Sequence, residues 1–371
     1  MDHTEIFWWA VKLLGMGLGL CYAYQFIYLF LPLFFKKTLP ETPKLHRYAI
    51  LIAARNEETV LPHLLTSIRA QDYPAEYIRV FVVADNCTDH TAQVAAQGGA
   101  LVFSRYSPSR VGKGYALQYL LDQIDLSCGL DSFDAFLVFD ADNVLCPDYI
   151  TQINKTCAAG YDVFCGYRNS KNFGTNWVSA GHALWFLHDS CHLNASRMIL
   201  GNPCTVTGTG FGFTRKLLEK LGGWNFFTLT EDIEFSYRCI TEGISMGYCN
   251  DAMLYDEQPV TFAQSWRQRV RWSKGFLQVF RYYGPDLVRR AFAEGDFSSI
   301  DMMLMICPLT VFWAVRELLG FLFAACGFVT WQSQLDNLWA WVYGTGWSML
   351  GMMAIAALTV MAERQRIGAT N

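Results

Sequence analysis

The sequence is poor in charged residues and has no surplus of basic ones. Charged residues make up 17% of the 371 residues, hydrophobic residues make up 52%, and the formal net charge is -4. This composition excludes a disordered chain, a collagen-like fibre and a coiled coil. Nucleic-acid binding is not expected either, because it usually requires a basic surplus. The composition is typical of a membrane protein with a sizeable water-soluble part.

Closely paired cysteines are also missing. The 12 cysteines stand singly and no two are spaced as C-x-x-C. Disulfide frameworks belong to small oxidised domains, so we expect free thiols in a reducing cytosol. His188 and His192 stand on either side of Cys191, but a zinc site needs about four ligands. We therefore expect these side chains to serve packing rather than metal binding.

Long apolar runs are present near both ends of the chain. Residues 13–35 and 338–361 are uncharged, and each run exceeds the roughly 20 residues that span a bilayer as a helix. The segment 302–331 is also apolar, although Arg316 and Glu317 interrupt it. We expect Arg316 to reach back to the headgroups, with a re-entrant hairpin turning there as the alternative. These runs predict one N-terminal and two C-terminal transmembrane helices.

The positions of lysine and arginine orient these helices. Basic residues follow the first and the last run, whereas the link 332–337 has none. The positive-inside rule then places residues 36–301 and the C-terminus in the cytosol, and the N-terminus outside. We expect a multi-pass protein of the plasma membrane, in contact with membrane lipids. The basic residues that decide the orientation are Lys36, Lys37, Lys44, Arg47, Arg364 and Arg366.

Between the apolar runs, short apolar strands alternate with helical patterns. This alternation predicts an α/β domain with a mainly parallel sheet. The predicted strands are 49–54, 80–84, 100–104 and 135–139. The predicted helices are 57–70, a segment from about Thr88, 177–198, 233–242 and 262–282.

Carboxylates follow two of the predicted strands. Asp85 comes directly after strand 80–84, and Asp140 and Asp142 come after strand 135–139. Ligands of open α/β sheets bind outside the carboxyl ends of the strands, so both groups can face one crevice. Asp89 is explained more simply as a turn or helix-cap residue. Asp140 and Asp142 form a hard oxygen site suited to Mg²⁺ or Mn²⁺ shared with substrate phosphates.

Two further motifs lie on predicted helices. Glu231 and Asp232 begin the helix 233–242, where isolated acidic residues often only complement the helix dipole. On the helix 262–282, spacings of three and four residues place on one face Gln268, Arg271, Trp272 and Gly275. Arg267, Arg269 and Lys274 lie around the rest of the helix, and by itself this pattern is typical of a basic amphipathic helix at a membrane surface.

These elements, in this order, resemble the membrane-integrated branch of glycosyltransferase family 2 over roughly residues 45–285. That branch contains hyaluronan, cellulose and chitin synthases, nodulation chitooligosaccharide synthases and ceramide glucosyltransferase. The resemblance implies a GT-A, Rossmann-like nucleotide-diphospho-sugar transferase fold. It divides the chain into an N-terminal membrane anchor (1–37), a cytosolic glycosyltransferase domain (45–260), interfacial helices (261–300) and a C-terminal region with two spans (301–371).

The resemblance also assigns residues to the nucleotide. Asn56 and Glu57 correspond to the first nucleotide-contacting segment, and Asp85 takes the place of the acid that contacts the uracil and ribose side. Lys113 corresponds to the basic residue beside the nucleotide, with a solvated lysine in a glycine turn as the alternative. Asp140 and Asp142 match the Asp-x-Asp motif, in which Asp142 is the metal ligand.

The remaining assignments concern the acceptor and the chemistry. Gly208 and Gly210 lie in the segment that resembles the glycine-rich loop near the acceptor. Asp232 matches the catalytic base, and Glu231 precedes it as a substrate-binding residue. The Gln-x-x-Arg-Trp motif is matched by Gln268, Arg271 and Trp272.

The residue types agree with an inverting single displacement. A sugar hydroxyl is a poor nucleophile, so Asp232 would take its proton as it attacks the anomeric carbon. A metal on Asp142, with Arg271 nearby, would stabilise the leaving UDP. Trp272 would stack against a sugar ring.

The sequence therefore predicts a glycosyltransferase that moves a hexose of the Glc or GlcNAc type from a UDP-sugar to a polysaccharide or oligosaccharide acceptor at the cytosolic face. A lipid glycosyltransferase that adds one sugar to a membrane lipid is the alternative. A catalytically dead scaffold or a transport component is a third reading, against which the intact Asp140, Asp142 and Asp232 count. Because only two spans follow the domain, long polymer is expected only if protomers assemble as an oligomer.

Overall fold

The computed structural model describes residues 3–307 and 309–368. The outer limits of the predicted domains, residues 1 and 371, lie outside the described residues. The described chain forms one eight-stranded sheet with the strand order β3-β2-β1-β4-β7-β6-β8-β5. The strands are β1 Tyr48–Ala54, β2 Ile78–Asp85, β3 Leu101–Arg105, β4 Ala135–Asp140, β5 Val144–Leu145, β6 Val163–Ser170, β7 Phe211–Thr214 and β8 Met246–Asp256.

Helices cover both ends of the chain and connect most of the strands. The first ten are α1 His3–Tyr22, α2 Tyr24–Phe34, α3 Leu61–Arg69, α4 Thr91–Gln97, α5 Lys113–Cys128, α6 Tyr149–Ala158, α7 Trp177–His188, α8 Ala195–Leu200, α9 Arg215–Lys220 and α10 Glu231–Thr241. The others are α11 Phe262–Arg289, α12 Phe297–Ile306, α13 Leu309–Ala325, α14 Trp331–Ala362 and α15 Arg364–Gly368.

The sheet is mainly parallel, as expected, but it is mixed: four of its seven strand pairs are parallel and three short ones are antiparallel. β1 runs parallel to β2 and β4, and β6 runs parallel to β8. β7, however, lies antiparallel between β4 and β6, and β5 is antiparallel to β8.

Apolar clusters on both faces fix the central strands. Leu51, Phe81 and Phe136 are buried on one face, while Ile50 and Val82 are buried on the other. Parallel strands that are covered on both faces read as continuous apolar runs, which explains why these strands were recognisable in the sequence. The rigid centre places the carboxyl ends of β1, β2 and β4 along one edge.

A long helical segment covers residues 177–200, as predicted for 177–198. α7 begins at an Asn176 cap, and α7 and α8 are joined by a π-helical turn, Asp189–Asn194. π-helical turns are rare and are often found at functional sites.

The described helices differ in whether their length and composition would allow them to cross a membrane. Among the described residues, only α14 is long and apolar enough to cross a bilayer, judged by length and composition. The apolar run 13–35 is divided between α1 and α2, and the run 302–331 is divided among α12, α13 and the start of α14. The three-span count is therefore not confirmed and stays a prediction.

The charged pair Arg316 and Glu317 lies inside α13, so the chain does not turn there as in the alternative hairpin. The two side chains form an ion pair. Glu317 also accepts a hydrogen bond from Gln334 of α14 at 3.3 Å. The pair thus contributes a polar contact between α13 and α14.

The described cysteines are all free thiols, as expected. Among the described residues, no group of three or more His, Cys, Asp or Glu side chains is placed to hold a metal. His192 instead contacts the hydroxyl of Thr359 on α14 at 3.2 Å. Its ring contributes to the packing of the long helical segment against α14.

Candidate active site

Two neighbouring cavities lie beside the carboxyl ends of β1 and β4. The first cavity, of about 510 Å³, is lined by Glu57 and Asp142 from the loops after these strands. The second cavity, of about 390 Å³, is lined by Asp140 and by the start of α10. Gln268 and Arg271 of α11 line both cavities. The same helix therefore borders both cavities.

The second cavity brings together most of the residues that the sequence singled out. They come from five separate elements, which only the tertiary fold makes neighbours. The predicted site residues that line it are Lys113, Asp140, Gly208, Glu231, Asp232, Gln268, Arg271 and Trp272.

Asp232 and Glu231 lie at the N-terminus of α10. Burial is the main cause that raises the pKa of Asp232, although the backbone N–H of Ile233 and the cation of Lys113 oppose it. Burial and the charge of Asp232 raise the pKa of Glu231 to about 7. Two carboxylates held together in a buried place resist full ionisation, which makes one of them a better proton acceptor.

Lys113 connects these acids to the end of β4. Its side chain forms an ion pair with Asp140, and its Nζ donates a hydrogen bond to the carbonyl of Gly208 at 2.7 Å. Burial lowers the pKa of Lys113, but the charges of Asp140 and Glu231 outweigh it and the pKa is raised. Lys113 is therefore a fixed cation in the cavity wall, and not the solvated lysine of the alternative reading.

Gly208 has a φ of +85°, a conformation that favours glycine. A Cβ there would lie 3.3 Å from Nη1 of Arg168 and 3.9 Å from Oδ2 of Asp232. The missing side chain keeps the space beside both charges open. Gly210 does not line either cavity. A Cβ there would lie 2.0 Å from Leu254, so the absence of a side chain serves packing.

α11 carries the Gln-x-x-Arg-Trp residues: Gln268 and Arg271 line both cavities, and Trp272 lines the second. The Trp272 ring packs against Phe186 at 5.9 Å, edge to face, and Arg271 donates to the carbonyl of Leu229 at 3.2 Å. α11 approaches α10 closely at Gly275, where a Cβ would lie 2.4 Å from the hydroxyl oxygen of Thr230. This close contact fixes the position of the motif relative to Asp232.

The first cavity contains the candidate metal ligand. Burial and the charges of Asp256 and Asp140 raise the pKa of Asp142 to about 8. A divalent cation would offset this concentration of negative charge, so the residues fit such an ion. The described carboxylates do not form a complete metal site alone. Mg²⁺ sites of this kind use one or two carboxylates together with substrate phosphates.

Two predicted nucleotide contacts are not among the residues that line the cavities. The amide oxygen of Asn56 accepts a hydrogen bond from the backbone N–H of Thr88 at 2.8 Å, and Asn56 has a φ of +58°. Asp85 is buried in an ion pair with Arg105 of β3. In this structure Asn56 joins two loops, whereas Asp85 joins the ends of β2 and β3.

Sequence reasoning missed Arg168, which lines the second cavity. Its Nε donates to Asp256 at 3.0 Å, its Nη1 donates to the carbonyl of Thr207 at 2.7 Å, and its guanidinium lies 3.6 Å from the ring centre of Phe186. The sequence did show a charged residue near the end of an apolar strand, β6, and this pattern could have indicated a site residue. Its partner Asp256 lies far away in the sequence, so the pair could not be deduced.

Asp189, in the π-helical turn, was also missed. It is 6% exposed, it lines the second cavity, and one of its carboxylate oxygens has no partner among the described residues. Burial raises its pKa to about 6, against the lowering effect of Arg197 and Arg168. Other wall residues with a buried unpartnered oxygen are Thr228, Thr230 and Gln268. Buried polar groups are normally satisfied, so these atoms indicate a polar ligand.

The family model described as "Glycosyltransferase like family 2" matches residues 46–275. Among curated proteins, a probable glycosyltransferase of Bacillus subtilis, YdaM, is 26% identical over 65% of this chain and 57% of its own length. The β-monoglucosyldiacylglycerol synthase of Nostoc is 26% identical over 71% of this chain and 55% of its own. A poly-β-1,6-N-acetyl-D-glucosamine synthase of Staphylococcus aureus is 24% identical over 66% and 58%. The chain thus spans a little over half the length of these relatives.

A solved structure shows the same fold over nearly the whole chain. The mannosyltransferase PcManGT of Pyrobaculum calidifontis, in complex with GDP-mannose and Mn²⁺, superimposes with a TM-score of 0.55. Its identity is 16%, and the match covers 93% of this chain and 96% of that one. The expected GT-A fold is confirmed, with a mixed sheet. Since the family model also matches more than half of its residues, the chain belongs to glycosyltransferase family 2.

Proposed function

We propose that this chain transfers a hexose, of the Glc or GlcNAc type, from a UDP-sugar to an acceptor hydroxyl with inversion. One observation supports this most directly: Asp232 lies in one cavity, Asp142 in the next, and Gln268 and Arg271 line both. This arrangement places a proton acceptor and a metal-compatible carboxylate in two cavities that share residues of α11. Single-displacement transfer requires the two groups on opposite sides of the reacting carbon.

In the mechanism, Asp232 accepts the proton of the acceptor hydroxyl during attack. Its raised pKa favours that role, because a more basic carboxylate holds the proton better. Arg271 contributes positive charge at the boundary where the leaving diphosphate gains charge. A divalent ion held by Asp142, when bound, would neutralise the diphosphate. The mannosyltransferase neighbour in complex with Mn²⁺ supports Mg²⁺ or Mn²⁺ as the cofactor.

The acceptor is either a polysaccharide or oligosaccharide, or a membrane lipid that receives one sugar. The relatives include a poly-N-acetylglucosamine synthase and a glucosyldiacylglycerol synthase. The second cavity has apolar as well as charged walls: Trp185, Phe276 and Met305 line it, and Met305 belongs to the apolar helix α12. An acceptor with an apolar portion would fit these walls, which favours the lipid as the second candidate.

The membrane arrangement is part of the proposal. We place α14 and the two divided apolar segments in the plasma membrane as three spans, with the transferase domain in the cytosol. The basic residues that follow α2 and α14 support this orientation. Reporter fusions test it: a reporter before residue 3 should lie outside, and one after residue 368 should lie inside. A cytosolic N-terminal reporter would require an even number of crossings and would overturn the three-span count.

The activity is tested with detergent-purified protein and a panel of UDP-sugars, with GDP-mannose as the comparison donor. Nucleotide release and product mass are followed with a glucan or chitin oligosaccharide, or with diacylglycerol, as acceptor. We expect UDP release that depends on both acceptor and divalent metal, and that a chelator abolishes. Turnover with GDP-mannose alone, or full turnover in the presence of the chelator, would contradict the proposal.

A further inference from the structure

A third cavity lies apart from the two described above. It has a volume of about 320 Å³ and is lined by the end of α2, by the helical segment 191–199, by β8 and by the end of α14. The residues assigned to donor, acceptor or metal do not line it. α2 and α14 are both apolar and both end at this cavity.

The charged residues that line the third cavity leave a small surplus of positive charge. Lys36, Lys37 and Arg366 line it, together with the acids Asp251 and Glu363. Both acids are near Arg366, with nitrogen–oxygen distances of 4.0 Å and 3.4 Å. Within the described part of the chain, Lys36 and Lys37 are exposed and neither forms one of the observed ion pairs. Two ammonium groups are therefore left for an anion.

The rest of the wall is apolar. Pro32 and Phe35 at the end of α2, and Met198 and Ile199 on the helical segment, line the same cavity. The buried Tyr248 is also part of the wall, and its hydroxyl has no partner among the described residues. A free phosphate would use only the charged side of such a cavity. A phospholipid would use both sides, with its phosphate at the lysines and its glycerol and upper acyl carbons along the apolar side.

We propose that the third cavity binds the phosphate headgroup of an anionic phospholipid of the cytosolic leaflet. The site goes beyond sugar transfer and rests on α14 lying in the membrane. Basic pockets between membrane helices on the cytosolic side suit such headgroups, because each Lys or Arg near an anionic surface adds electrostatic attraction. The wall of the site includes Ala195, next to the π-helical turn that lines the second cavity. An occupant would therefore brace the helix that holds Asp189.

The test is native mass spectrometry of the full chain, released from micelles with equal amounts of phosphatidylglycerol and phosphatidylcholine. We expect the protein to retain phosphatidylglycerol preferentially. The double variant Lys36→Gln with Lys37→Gln should reduce this retention several-fold. The matched control removes two exposed lysines of α9, Lys216→Gln with Lys220→Gln, and should retain the lipid as the parent does.

Because Lys36 and Lys37 also orient the protein in the membrane, a second variant leaves the charge unchanged. Ala195→Leu fills the cavity and should reduce retention to a similar extent. Unchanged retention in both variants, or equal retention of the two lipids, would overturn the proposal. Displacement of the lipid by an equal concentration of glycerol phosphate would assign the site to a soluble phosphate instead and would also overturn it.

Discussion

At the scale of single residues, the chemistry depends on how burial changes the basicity of acids. Asp232 lies in the second cavity with Lys113 nearby and the N-terminus of α10 beneath it. The lysine and the helix stabilise its anion, while burial opposes ionisation. A carboxylate balanced in this way can remain ionised before the reaction and still accept a proton during it.

Replacing this base should separate catalysis from donor binding. We expect Asp232→Asn to lower kcat by about two to four orders of magnitude, because the proton acceptor is lost. The affinity for UDP should stay near that of the parent, since Asp142 in the first cavity is unchanged. Steady-state rates and calorimetric UDP titration measure the two effects. Turnover close to that of the parent would refute the assignment of the base.

The paired acids also predict a pH effect. The base must be ionised, and its pKa is raised, so activity should fall on the acid side at a higher pH than for an ordinary carboxylate, whose pKa is about 4. Glu231→Gln removes one of two coupled negative charges, so it should move this acid limb to lower pH. The measurement is the pH profile of kcat/KM for both proteins. If the acid limb of the kcat/KM profile stays at the same pH in Glu231→Gln, the charge of Glu231 does not affect the pKa of Asp232.

At the scale of elements, the site depends on how closely α11 packs against α10. The contact is made at Gly275, which lies on the same helix as Gln268 and Arg271. The side chain of Thr230 occupies the space where a Cβ would be, and its own Cβ lies 2.9 Å away. α11 can therefore reach its position only with glycine at this residue.

A methyl group at this contact should displace the motif. We expect Gly275→Ala to lower kcat/KM by roughly 10- to 100-fold, because small misplacements of binding groups are costly. The control is Gly284→Ala on the same helix, where the nearest atom to a new Cβ is Phe280 at 3.4 Å. Kinetics and thermal unfolding of both variants give the comparison. Equal kcat/KM for the two would show that the close contact does not position the motif.

The sequence was informative where local patterns decide the structure. β1, β2 and β4 could be predicted within two residues because buried parallel strands are continuous apolar runs. Asp140 and Asp142 could be predicted as site residues because they stand at the end of β4, and Asp232 because it stands at the start of α10. The direction of β7 and the roles of Arg168 and Asp189 could not be predicted, because each depends on partners distant in the sequence.

At the scale of the whole molecule, one buried ion pair joins three parts of the chain. Arg197 of α8 contacts Asp301 of α12 through two hydrogen bonds, at 2.8 and 2.9 Å, and both side chains are 1% exposed. Tyr24 and Tyr28 of α2 donate to the same carboxylate at 2.7 and 3.3 Å. The apolar helices at both ends are thereby attached to the transferase domain.

Breaking this pair should destabilise the whole molecule. We expect Arg197→Met to lower the free energy of unfolding by about 3–5 kcal/mol, because Asp301 is left buried without its cation. The double variant Arg197→Met with Asp301→Leu should lose less. Arg47→Met is the control, since its partner Asp134 is exposed and such pairs contribute about 0–1 kcal/mol. Unfolding in detergent by heat or denaturant measures all three. A loss for Arg197→Met no larger than for Arg47→Met would contradict this role.

The shared wall of Gln268 and Arg271 also has a consequence for the order of events. Because the two cavities are separate and share only Gln268 and Arg271 in their linings, donor and acceptor can be bound at the same time. We expect a ternary complex, so double-reciprocal plots at several fixed acceptor concentrations should intersect. Parallel lines would instead indicate a sugar held covalently between two half-reactions. We also expect the glycosylated product and the nucleotide to leave in either order. Each product should inhibit competitively only against the substrate whose cavity it occupies.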